Sequence, residues 1–74
     1  MTTADIVREL ALALAWSGTE PDQAVQELEI CCQGRRVPAV RARQQLLTSV
    51  DSEQNEHALV AIGFLDALLD RLPA

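Results

Sequence analysis

The chain has 74 residues, 49% of them hydrophobic and only 3% aromatic, and its eleven acids against six bases leave a net charge of −5. A length of this order holds one domain, and a single core below roughly 70–80 residues rarely supplies more than ~3–5 kcal/mol, so further burial must come from self-association or from a partner. The longest apolar stretches, Leu10–Trp16 and Ala58–Leu65, fall far short of the ~20 residues a membrane-spanning helix needs.

The first predicted helix runs from about Ala4 to Trp16. Thr2 and Asp5 ahead of it have the spacing of a capping box, in which each side chain satisfies the other residue's backbone N–H. From Leu10 to Trp16 every residue is apolar, so this half should be covered on more than one side. Ser17-Gly18 breaks the helix. Thr19-Glu20-Pro21-Asp22 restarts it with a cap, a proline in the first turn and an acid at the positive helix end. The second helix spans about Glu20 to Gln33, with Ala24, Val25, Leu28, Cys31 and Cys32 as its buried stripe and Gly34 as a left-handed stop.

The third helix begins near Val37-Pro38 and reads to about Leu47 or Thr48, with Ala39, Val40, Ala42 and Leu47 as its apolar face. Thr48-Ser49-Val50-Asp51-Ser52 are poor helix formers and predict a break. Asp51 and Gln54 then have capping-box spacing for a fourth helix that ends before Pro73. In it Ala58, Ile62, Leu65, Leu69 and Leu72 alternate steps of four and three, the seam of a helix packed at a shallow angle.

Ala24, Val25, Leu28 and Cys31 recur 34 residues later as Ala58, Leu59, Ile62 and Leu65, and Ile6 and Leu12 recur as Val40 and Leu46. A period of that size marks stacked helix-turn-helix units, neither of which buries its apolar face alone. The expected fold is therefore all-α: two helical hairpins, four short helices in one compact bundle, forming a single domain over residues 1–74.

Charge is partitioned along the chain. Residues 1–33 carry six acids and one Arg, residues 34–50 carry Arg35, Arg36, Arg41 and Arg43 with no acid, and residues 51–74 carry five acids and one Arg. The basic middle reads first as pairing across packed helices or subunits. An alternative is a helix-turn-helix DNA reader, in which the third helix would offer Arg41, Gln44, Gln45 and Thr48 to base edges. Four Arg in a chain of net charge −5 leave few phosphate contacts, so nucleic acid is not the expected partner.

Chemical constellations are sparse. His57 stands beside Glu53 and Glu56 and reads as an exposed or capping residue, because one His without spaced partners makes no metal site. Cys31 and Cys32 are adjacent, which disfavours disulfide geometry within a helix, and they read as small core residues. Arg35 and Arg36 are the nearby cations that a reactive thiol would require. Asp66 and Asp70, one turn apart, read as a solvated face rather than a cation site. The chain has no glycine-rich phosphate loop and no nucleophile–base motif. No enzyme activity, cofactor or metal is expected. No basic stretch followed by an apolar run and a small-residue cleavage site follows Met1, which together with two free thiols points to the cytoplasm. That all six bases are Arg fits a GC-rich bacterial coding bias.

What remains is apolar surface. Ile30 falls with Gln23, Gln26 and Glu27 on the outer side of the second helix, and Val60, Phe64 and Leu68 lie off the main seam of the fourth. A second apolar stripe on one helix marks a dimer interface or a groove for a partner helix. Ile30, Val60, Phe64 and Leu68 with Arg35, Arg36, Arg41 and Arg43 are the candidate partner-binding residues.

The 34-residue period, the alanines at Ala24 and Ala58 and the short Gly-containing turn resemble tetratricopeptide-repeat helical hairpins. The opening Ile6-Val7-Arg8-Glu9-Leu10-Ala11-Leu12-Ala13-Leu14-Ala15 with Ser17-Gly18 is similar to the start of the small co-chaperones of bacterial type III secretion, which hold needle subunits unpolymerised. The resemblance implies a small helical protein-binding module, an adaptor or co-chaperone that acts by burying apolar helix faces in a homodimer or heterocomplex. The alternatives are the DNA-binding regulator and a purely structural homo-oligomerisation module.

Overall fold

A computed structural model describes residues 1–49 and 56–73. Among them are four helices, α1 (Thr3–Trp16), α2 (Pro21–Cys32), α3 (Arg36–Ser49) and α4 (Glu56–Arg71), and no strand. No helix among the described residues is long and apolar enough to cross a membrane.

The local punctuation works largely as the residue types require. Thr2 Oγ1 accepts the Asp5 N–H at 3.2 Å while Asp5 Oδ2 accepts the Thr2 N–H at 3.0 Å, so the capping box is complete. At the far end of α1, Thr19 N–H donates to the Leu14 carbonyl at 3.1 Å and Gly18 N–H to that of Ala15 at 3.2 Å. This is a Schellman closure, which needs a left-handed residue, and Gly18 supplies it with φ +70°. The α2 helix opens with Pro21 in its first position and Glu20 as a cap that makes no side-chain capping bond.

Its end differs from expectation. The left-handed conformation begins one residue before Gly34, at Gln33 with φ 57°, and Gly34 follows with φ 71°. Gly34 N–H closes on the Glu29 carbonyl and Gln33 N–H on that of Ile30, both at 3.1 Å. Helix α3 persists to Ser49, past the expected stop, and the Asp51–Gln54 capping box lies outside the described residues.

Helices α1 and α4 each pack against all three of the others, whereas α2 and α3 barely touch. The first and last helices thus meet directly and close the bundle. Side chains show which ends come together. Trp16 at the end of α1 meets His57 at the start of α4 in a tilted ring contact, centroids 4.4 Å apart and planes at 50°. Glu29 near the end of α2 pairs with Arg71 at the end of α4 at 3.5 Å. Arg36 at the start of α3 donates to the Leu69 carbonyl at 3.0 Å, and Arg43 pairs with Asp66, so α3 and α4 run antiparallel.

The core carries Val7, Leu14, Val25, Leu28, Leu46, Phe64, Leu65 and Leu68 among eight alanines drawn from all four helices. Alanine at a crossing lets helix axes approach closely and still fill space. The α4 seam is buried at Ala58, Ile62, Leu65 and Leu72 and half-buried at Leu69, and the buried arc widens to Ala61, Phe64 and Leu68 because three helices surround it. The apolar half of α1 is covered less fully than expected: Ala11, Leu14 and Ala15 are buried, while Trp16 is exposed. The repeat is reflected in burial at Ala24/Ala58 and Leu28/Ile62, but Val25 is buried where Leu59 is exposed.

Candidate interaction surface

The eight residues expected to form a binding surface separate into three groups. Phe64 and Leu68 are core residues, 5% and 0% exposed. They sit on α4 where α1 and α2 as well as α3 pack, so these two members of its second apolar stripe are consumed by the fold itself. Ile30 is 75% exposed and stands alone on the outer face of α2 among Gln23, Gln26 and Glu27, all exposed. Val60 is exposed on the outer face of α4.

The arginines divide evenly. Arg36 and Arg43 turn to α4, the first onto the Leu69 carbonyl and the second onto Asp66. Arg35 and Arg41 are exposed and form no ion pair among the described residues. Asp66 is thereby engaged, and no group of three or more His, Cys, Asp and Glu side chains among the described residues could hold a metal ion. No pocket forms among them either. Cys32 is buried and Cys31 half-buried, both free. Burial, and secondarily the neighbouring Cys32, pushes the Cys31 thiol above its ordinary pKa, the opposite of what a reactive thiol needs.

The unexpected surface is on α3. Its inward residues are Ala39, Ala42 and Leu46, whereas Val37, Val40 and Leu47 face out at 59%, 45% and 46% exposure. The sequence pattern groups Val40 and Leu47 with Ala39 and Ala42 in one buried face, and the structure separates them. At 100° per residue the two pairs lie about a quarter-turn or more apart, and the bundle takes the alanine side. Val37, Val40 and Leu47, with the exposed Gln44 between them, therefore form one outer stripe.

The antiparallel register set by Arg36–Leu69 and Arg43–Asp66 brings the end of α3 level with the start of α4, where Leu59 is also 46% exposed. Sequence reasoning missed Val37, Val40, Leu47 and Leu59 as surface. For the three residues of α3 the available signal was their helical spacing, offset from that of Ala39 and Ala42. Around the stripe, Arg41 borders one edge and Arg36 and Arg43 the other. No protein-family model, curated protein or solved structure matches this chain.

Proposed function

We propose that the protein is a small helical protein-binding module that seats a partner on the outer face of α3, extended by Leu59 of α4. The observation that carries this reading is the orientation of α3, which packs its alanines inward and leaves Val37, Val40 and Leu47 in solvent. Single exposed apolar residues need no explanation, but three aligned along one helix face, interrupted only by Gln44, do. An adaptor or co-chaperone role in a bacterial cytoplasm goes with this reading and with the resemblance to tetratricopeptide-like hairpins.

The DNA-reading alternative draws less support. A helix-turn-helix works as a packed pair, yet α2 and α3 barely touch, and only Arg35 and Arg41 of the basic segment stand clear of α4. Site-specific photocrosslinking tests the proposal. A benzophenone side chain placed at Val40 or Leu47 in the native cell should crosslink one protein, and the same group at Ile30 should not. Crosslinks of equal yield from all three positions, or none from Val40 and Leu47, would reject it.

A further inference from the structure

We infer that the partner is an acidic amphipathic helix, laid along α3 with its apolar stripe on Val37, Val40 and Leu47 and its carboxylates beside Arg41. This rests on the docking reading of α3 above. The stripe runs over eleven residues from Val37 to Leu47, about 15 Å of helix, which matches the anchors through which one helix face engages another.

Charge selects the occupant. In paired helices the residues bordering the apolar seam decide which partner is accepted. Here both borders are cationic, and residues 34–50 contain no acid. Arg41 has no counter-ion among the described residues, whereas Arg36 is engaged by the Leu69 carbonyl in the last turn of α4, the negative end of that helix. Across the two edges, Asp66 is paired with Arg43, Asp5 and Glu9 share Arg8, and the exposed Asp70 one turn beyond Asp66 has no ion pair among the described residues, so Arg41 is the border cation on which the selection rests. The net charge of −5 acts at longer range, where physiological salt screens it beyond about 8 Å.

A second copy of the chain fits this face poorly. A twofold pairing of α3 with itself uses the same patch on both subunits. Whether the two helices run parallel or antiparallel, cationic border then meets cationic border, an arrangement that works against association.

Selection from a displayed library tests the inference. Short helical peptides carry a fixed leucine stripe, with the bordering positions randomised among Glu, Gln and Lys, and the full-length protein is the bait. Enriched clones should carry Glu at the borders. One such clone, synthesised as a free peptide, should lose at least about tenfold in affinity for Arg41→Glu, a lesser amount for Arg41→Gln, and weaken as salt is raised. Both substitutions are at an exposed position, and thermal melts of the variants check that the fold persists.

Selection against Arg41→Glu should move Lys into the border that faces residue 41. Clones without charge preference whose binding is abolished by Val40→Ser with Leu47→Ser would overturn the acidic partner and leave the docking face standing. No enrichment, with a dimer in sedimentation that the same double substitution dissociates, would replace the acidic helix by a second copy. No enrichment and a monomer would overturn both readings.

Discussion

Arg8 donates from Nη1 to Oε1 of Gln45 at 2.7 Å, a bond that ties the middle of α1 to the last turns of α3 across 37 positions of sequence. The same guanidinium reaches Asp5 at 3.5 Å and Glu9 at 3.0 Å, so one side chain joins the N-terminal cap to an inter-helix contact. Arg8→Met keeps the aliphatic stem and removes the charge. It should cost about 1.5 kcal/mol. A double-mutant cycle with Gln45→Ala should return a coupling near 1 kcal/mol, and a coupling indistinguishable from zero would mean the bond contributes nothing in solution.

The inversion of α3 has a direct stability signature. Leu46 is buried and Leu47 is half out of the surface, so neighbouring leucines should respond unequally to the same change. Leu46→Ala should cost about 2–5 kcal/mol and Leu47→Ala within about 0.5 kcal/mol. Leu65, fully buried at the centre of α4, should behave like Leu46. In a domain holding only ~3–5 kcal/mol in total, Leu46→Ala or Leu65→Ala should leave much of the chain unfolded, which urea titration monitored by circular dichroism would measure.

Acid should weaken the start of α1. The Thr2 backbone N–H, then the Thr2 hydroxyl, favour the ionised Asp5 carboxyl and hold its pKa below the ordinary value; burial opposes them, and Arg8 and Gln45 add weaker support for the charged form. A carboxyl lowered in the folded state contributes stability in full above its unfolded pKa, about 3.9 for Asp, and loses it as pH falls through the lowered folded value. The stability difference between wild type and Asp5→Asn should therefore be constant near neutrality and shrink below about pH 4. A difference unchanged down to the acid limit would show that the charge is immaterial.

The two thiols should be slow. With Cys32 buried and Cys31 half-buried and pushed up in pKa, alkylation by iodoacetamide at neutral pH should lag behind that of a free thiol and speed up on adding denaturant. Fast modification of Cys31 in the folded protein would instead point to a redox role.

Backbone conformation sets a further pair of expectations. Gln33 holds a left-handed φ of 57°, which costs a residue with a Cβ roughly 1–2 kcal/mol relative to glycine. Gln33→Gly should raise the melting temperature, although the added freedom of the unfolded chain offsets part of the gain. Gly18 stands at φ +70°, and a Cβ added there would meet nothing within 4 Å, so Gly18→Ala should lower stability through backbone strain alone. A rise for Gly18→Ala would contradict the assignment of that turn.

What the residues determined by themselves was local. Thr2 and Asp5, Ser17-Gly18, Pro21 and Pro38 act within a turn of their own position through capping bonds, missing donors and fixed φ, and four helices follow from them wherever the rest of the chain lies. The apolar periodicity likewise marks Ala24, Leu28, Ala58 and Leu65 as inward. The tertiary structure decided which apolar face each helix spends on the core, because that choice depends on the shape its neighbours present. Helices α1 and α4 approach α3 closely enough to take Ala39 and Ala42, so Val40 and Leu47 are left outside. Three neighbours around α4 absorb Phe64 and Leu68. The same packing places Trp16 against His57 and Arg8 against Gln45, contacts between residues far apart in sequence that no local pattern encodes.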